Sequence, residues 1–148
     1  MTLRLYVSTS YYLAMSGLLV SLFACAAAQP EGPVPIVWDR EACAECRMLV
    51  GEPKFAAQLQ TREGDVLNFD DPGCLLRYVA SKKPQTHAIY FNHHKEDRWL
   101  PQAQAGFVPA APSPMGYGLA ALPRQTSGAL SFQQATIQVM GKETTHAP

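Results

Sequence analysis

The distribution of hydrophobic and polar positions divides the chain into regions of different character. Residues 5–28 carry no charged side chain, and residues 29–37 (QPEGPVPIV) are broken by three prolines and a glycine. From residue 38 onward, short alternating stretches are separated by turn signals. Lys54 to Gln60 (KFAAQLQ) alternates imperfectly and predicts a strand, Thr61 to Asp65 predicts a turn, and Val66 to Phe69 predicts the returning strand. Asp70-Asp71-Pro72 then opens a helix: an Asp is a good cap, Pro is tolerated in the first turn, and Leu75, Leu76 and Val79 share one helical face. Lys82, Lys83 and Pro84 close that helix, and Thr86 to Phe91 (THAIYF) predicts another strand, giving a β-β-α-β order.

A second stretch begins after Trp99-Leu100-Pro101. It comprises Phe107-Val108, a turn at Pro112-Ser113-Pro114, the run Gly116 to Ala120, and a moderately amphipathic helix from Ser131 to Met140 with Gly141 as its stop. No internal repeat is present. The expected architecture is α+β, with two small β-β-α-type modules.

The apolar run near the N-terminus reads as a leader. Its heart, Tyr11 to Ala24, has the length of a secretory h-region, and Arg4 precedes it. The run closes on Leu22-Phe23-Ala24-Cys25, which resembles the bacterial lipobox, where the cysteine receives a diacylglyceryl group and becomes the mature N-terminus. Two other readings stay open: cleavage at the A-x-A formed by Ala26-Ala27-Ala28, and retention of the run as a membrane anchor. All three place the remainder outside the cytoplasm, in the cell envelope. The expected organisation is a lipoprotein signal peptide over 1–24, a tether over 25–37, a folded domain over 38–141 and a frayed tail over 142–148.

Charge then narrows the function. The chain balances 12 Lys+Arg against 12 Asp+Glu, so it lacks the basic footprint of a nucleic-acid binder. No GxxxxGK[ST], GxGxxG or H-E-x-x-H occurs, and no Ser-His-Asp order suggests a hydrolase. The expectation is a protein that is not an enzyme.

Sulfur carries the remaining chemistry. Cys43-Ala44-Glu45-Cys46-Arg47-Met48 is C-x-x-C-x-M. It fits a redox pair, although the strand-helix setting of a thioredoxin-like site is missing. It also fits half of a zinc site, although no second Cys/His pair has the right spacing. The third reading joins the Cys46 thiolate to the Met48 thioether, a soft set that favours Cu(I). Met115, between Pro114 and Gly116, sits in a turn where methionine has little value as core filler. If Cys25 is acylated, Cys43, Cys46 and Cys74 remain, an odd number for an oxidising compartment. At least one thiol is then free, metal-bound or paired between chains; the plain alternative is a Cys43–Cys46 disulfide with Cys74 buried in the helix.

Other polar residues have competing readings. Asp70 and Asp71 can bind a hard ion or act as acid and base, or can cap the helix and complement its dipole. His93 and His94 lie in a polar loop and are expected to be solvated, whereas His87 precedes an apolar strand and is expected to be structural. Trp99 and Phe107 read as core or docking aromatics.

Four segments occur together in an order that resembles the NosL family: Cys43–Met48, Phe69-Asp70-Asp71-Pro72-Gly73-Cys74, Trp99-Leu100, and Pro114-Met115-Gly116-Tyr117-Gly118. The resemblance spans most of residues 38–135. It implies a copper-binding lipoprotein of two small α+β modules that delivers Cu(I) for assembly of the copper site of nitrous oxide reductase. It further implies that Cys46 and Met48 match the family's Cys-x-Met metal site and Met115 its later methionine, with Cys43 and Cys74 as additional sulfurs. The implied partners are a copper-receiving enzyme or its assembly machinery, and the membrane through the lipid on Cys25. An extracytoplasmic thiol-disulfide oxidoreductase using Cys43 and Cys46 is the principal alternative; an organometal-handling enzyme rests on fold analogy alone.

Overall fold

The computed structural model describes residues 29–143. Residues 1–28, with the segment read as a leader and Cys25, and residues 144–148 of the segment read as a tail lie outside the described residues, and among the described residues no helix is long and apolar enough to cross a membrane. The elements run β1 (Ala57–Thr61), β2 (Val66–Phe69), α1 (Pro72–Lys82), β3 (Thr86–Asn92), β4 (Trp99–Pro101), β5 (Ala105–Pro109), β6 (Leu119–Pro123) and α2 (Phe132–Glu143). Four strands form an antiparallel sheet in the order β2-β1-β3-β4, and β5 and β6 form a separate antiparallel hairpin. The α+β class expected from the sequence is the one observed.

Local chemistry accounts for most boundaries. The first strand starts later than the alternation from Lys54 suggests, because Pro53 begins a 3-10 turn over Pro53–Phe55 that the Ala56 amide closes on the Pro53 carbonyl. Helix α1 starts as expected: Asp71 caps it by accepting from the Gly73 amide, Pro72 occupies the first position, and Lys83 ends it in a left-handed conformation at φ 49°. Trp99-Leu100-Pro101, read in the sequence as a boundary, is a short strand that pairs Leu100 with Phe91 and Trp99 with Asn92. The first unit is therefore β-β-α-β-β. Helix α2 does not stop at Gly141 but runs to Glu143. Its last turn is held from outside, since Lys142 Nζ donates to the Tyr117 carbonyl at 2.6 Å, which offsets the roughly 1 kcal/mol that Gly costs in a helix.

The two units share one core. Phe91 of the large sheet meets Phe107 of the hairpin edge-on, with ring centroids 4.8 Å apart, and Phe132 of α2 packs against both rings at 6.3 Å. Leu59, Phe69, Leu75, Leu76, Leu119 and Val139 belong to the same buried cluster. Each such side chain contributes about 1.5–3 kcal/mol by leaving water. The apolar alternation of β1 faces this core, while its other face carries Gln58 and Gln60, which are just as buried.

What covers that second face is the segment read as a tether. Val34 and Gln58 exchange a pair of hydrogen bonds: the Val34 amide donates to Gln58 Oε1 at 2.7 Å and Gln58 Nε2 donates to the Val34 carbonyl at 2.9 Å. Gln60 Nε2 donates to the Gly32 carbonyl, and Gln29 Nε2 donates to the Arg62 carbonyl at 2.9 Å. Ile36 ends the strap in the core. At least from Gln29 to Ile36 the chain is thus laid along β1, running opposite to it, rather than spanning freely to the domain. Three prolines prevent ordinary strand pairing there, and the glutamine amides substitute for a neighbouring backbone.

Candidate metal centre

The C-x-x-C segment is a tight reversal whose ends are tied together. Ala42 and Leu49 form an antiparallel bridge, the Cys43 amide donates to the Met48 carbonyl at 2.7 Å, and the Arg47 amide donates to the Cys43 carbonyl at 3.0 Å. Arg47 takes a left-handed φ of 69°, which turns the chain back immediately after Cys46. The reversal is fastened to the rest of the fold at two points. The Ala44 amide donates to the Asn68 carbonyl on β2 at 2.9 Å, and Glu45 forms an ion pair with Arg77 on α1 at 3.1 Å. These contacts bring Cys43 and Cys46 to Cys74, which sits in the first turn of α1.

The Sγ atoms of Cys43, Cys46 and Cys74 all lie within 4.8 Å of one another. All three are free; no Cys43–Cys46 bridge is formed. Cys43 and Cys74 are buried, whereas Cys46 is partly open to solvent. Close spacing separates their acidities. A hydrogen bond from the Cys74 thiol, joined by the backbone amides of Cys46, Asp70 and Glu45, stabilises the Cys43 thiolate and brings its pKa down to about 5 against the opposing effect of burial. The same thiol contact holds the proton on Cys74 and pushes its pKa up, with burial acting in the same direction. Burial raises Cys46. In the metal-free group the thiolate is thus favoured on Cys43 and disfavoured on Cys46 and Cys74, and a soft cation can displace the remaining protons.

Three soft donors converging at this distance can hold a metal ion. Among the described residues this is the group of sulfur, imidazole and carboxylate side chains with that geometry, and it contains neither Asp70 nor Asp71. Both carboxylates are engaged by backbone amides instead. Asp70 Oδ1 accepts from Gly51 at 2.9 Å and from Glu52 at 3.3 Å, which steadies the chain leaving the C-x-x-C reversal. Asp71 caps α1 through Oδ1 and accepts from the Met115 amide through Oδ2 at 3.1 Å. It is fully buried, and that burial raises its pKa. The capping reading thus describes Asp71, whereas Asp70 holds the backbone at Gly51 and Glu52; neither carboxylate joins the cysteine group.

The expected thioethers differ in setting. Met48 is 58% exposed at the tip of the reversal, beside the equally open Leu49. Met115 is partly buried against the core, and its loop is fixed over the N-terminus of α1 by Asp71. Cys43 and Cys74, the additional sulfurs of the resemblance, form the buried heart of the group. Sequence spacing could not place Cys74 there, because 27 residues of strand and turn separate it from Cys46.

The histidines depart from expectation. His93 is buried rather than solvated: its Nδ1 accepts from the Lys95 and Glu96 amides, so the ring organises its own loop. His94 meets the Phe55 ring at a tilt of 59° with centroids 4.9 Å apart, and His87 is exposed on β3 rather than structural. Phe107 is a core aromatic, and Trp99 packs against the core at its edge.

No family model matches the chain, and no curated protein or solved structure does either.

Proposed function

We propose that this is an extracytoplasmic, membrane-anchored protein that binds Cu(I) and passes it to an acceptor, in the manner implied by its resemblance to the NosL family. The single observation supporting a metal role is the convergence of three free cysteine sulfurs within 4.8 Å. The choice of Cu(I) follows from donor chemistry. Two or three soft sulfurs satisfy Cu(I), whereas structural zinc takes four ligands, either four thiolates or thiolates completed by histidine. Among the described residues no histidine or carboxylate joins the three sulfurs.

Exposure gives the group a direction. Cys43 and Cys74 are buried and would hold the metal from the core side, while Cys46 is partly open and Met48 is exposed. An acceptor's sulfurs would replace Cys46 first and the buried pair last, so the metal moves by stepwise ligand exchange without change of oxidation state. The acceptor is nitrous oxide reductase or its assembly machinery on the family resemblance, and no catalytic acid, base or nucleophile is required.

The low pKa of Cys43 favours a second reading, a thiol-disulfide oxidoreductase. Burial argues against it. The stabilised thiolate is the inaccessible sulfur, while the accessible Cys46 is the one whose thiolate is disfavoured.

Competition against a chromogenic Cu(I) chelator under reducing conditions tests the proposal. One tight equivalent per chain is expected, with binding strongly weakened in Cys46→Ser and in Cys74→Ser. Parental affinity in both variants would remove the copper reading and leave the redox pair in its place.

A further inference from the structure

The strap over β1 fixes where the N-terminus leaves the domain. Gln29 is tied to the Arg62 carbonyl, Gly32 to Gln60 and Val34 to Gln58, so moving toward the N-terminus the strap climbs from the start of β1 to its end. That end is a defined edge of the molecule. The Arg62 amide donates to the Gln85 carbonyl at 2.7 Å, which joins the β1–β2 turn to the chain leaving α1, where Lys82 and Lys83 are exposed. Arg62, whose Nε donates to the Thr86 carbonyl at 3.4 Å, is therefore on the same edge as Lys82 and Lys83, along with the exposed acidic residues Glu31 of the strap and Glu63 and Asp65 of the turn.

The thiol group occupies the opposite end. Cys74 lies in the first turn of α1 and Lys82 in its last, eight residues or about 12 Å further along the helix axis. The C-x-x-C reversal is fastened to Asn68, which pairs with Gln58 near the beginning of β1, again away from Arg62. A lipid-bearing Cys25 would be joined to Gln29 by a link that spans at most about 14 Å fully extended. A longer tether would leave orientation free; this one does not.

We propose that the bilayer surface lies against the edge formed by Arg62, Lys82 and Lys83, and that the strap thereby presents the three cysteine sulfurs away from the membrane, toward a water-soluble acceptor. The inference rests on the anchored metal-binding reading above and adds the membrane-facing edge and the direction of approach. Glu31, Glu63 and Asp65 balance the three cations at this edge, so the short link, rather than charge, is the dominant constraint.

Photocrosslinking of the full lipidated chain in anionic phospholipid vesicles tests it, with benzoylphenylalanine introduced in place of Glu63 or in place of Leu49. Both positions are exposed, and neither is a proposed ligand. Lipid adducts are expected at position 63 and none above background at position 49. Equal adducts, or more at 49, would overturn the orientation. Combining Gln58→Leu with Gln60→Leu should erase the difference by loosening the strap; a persistent difference would show that the strap does not set it. Mass spectrometry of the mature N-terminus separates the two levels of failure. Absence of a diacylglyceryl group at Cys25 removes the anchor and the orientation with it, whereas a lipidated chain with reversed labelling removes the orientation alone.

Discussion

Gly73 lies directly beneath the ring of Tyr117. A Cβ on Gly73 would stand 2.2 Å from Tyr117 Cγ and 2.5 Å from its Cβ, distances that no side-chain rotation at the phenol end can relieve. The contact joins two segments 44 residues apart, the start of α1 and the loop carrying Met115, and the Asp71–Met115 hydrogen bond closes the same junction. Cys74 follows Gly73 directly, so the loop is seated beside the thiol group.

Gly73→Ala should therefore destabilise the protein by about 1–3 kcal/mol through overpacking, despite the better helix propensity of Ala. Denaturant unfolding measures this. In the Tyr117→Gly background, which removes the Cβ together with the ring, the same change should be nearly neutral or favourable; an equal loss in both backgrounds would mean that Tyr117 is not what excludes the methyl group.

The metal-free protein should titrate one thiolate with a midpoint at about 5, visible in thiolate ultraviolet absorbance, and Cys43→Ser should abolish it. Because the folded-state value lies below the ordinary thiol value of 9.0, the charged form stabilises the fold. Its contribution is complete above about pH 9 and is lost as the pH falls through about 5. Stability of the parent relative to Cys43→Ser should thus rise across that window. A flat difference would place the thiolate elsewhere.

The two methionines should separate in a Cu(I) competition assay. Each thioether is expected to contribute about 1–3 kcal/mol, by analogy with an ordinary charge-assisted contact. The exposed Met48 should also govern exchange: Met48→Leu should slow transfer to a chelator more than Met115→Leu does. If neither variant changes affinity or transfer rate, the sulfur site consists of the cysteines alone.

Phe107→Ala should cost about 3–5 kcal/mol, the usual range for emptying a buried aromatic site. Since Phe107 contacts Phe91 of the large sheet and Phe132 of α2, the loss should appear as one cooperative transition at lower denaturant. Two resolved transitions, monitored by the two tryptophans and by far-ultraviolet dichroism, would instead indicate modules with separate stability.

What the chain specifies locally could be read from it directly. An Asp cap, a Pro at the first position, apolar residues on one face and a closing Lys pair define α1 within a dozen neighbours, and short-range sterics enforce them wherever the helix is placed. The alternating strands, the α+β class and the chemical softness of C-x-x-C-x-M are of the same kind. Tertiary structure decided the rest, because it depends on contacts between segments with no common period. Asn68 and Arg77 had to receive the Cys43–Cys46 reversal before Cys74 could become its third sulfur. Asp71 was compatible with both a cap and a metal until its two oxygens met the Gly73 and Met115 amides. The Pro-rich segment looked like a free tether, since composition registers stiffness but not the buried glutamines on β1 that hold it. Those amides find partners only when strap and sheet lie together, and that pairing is a property of the folded chain.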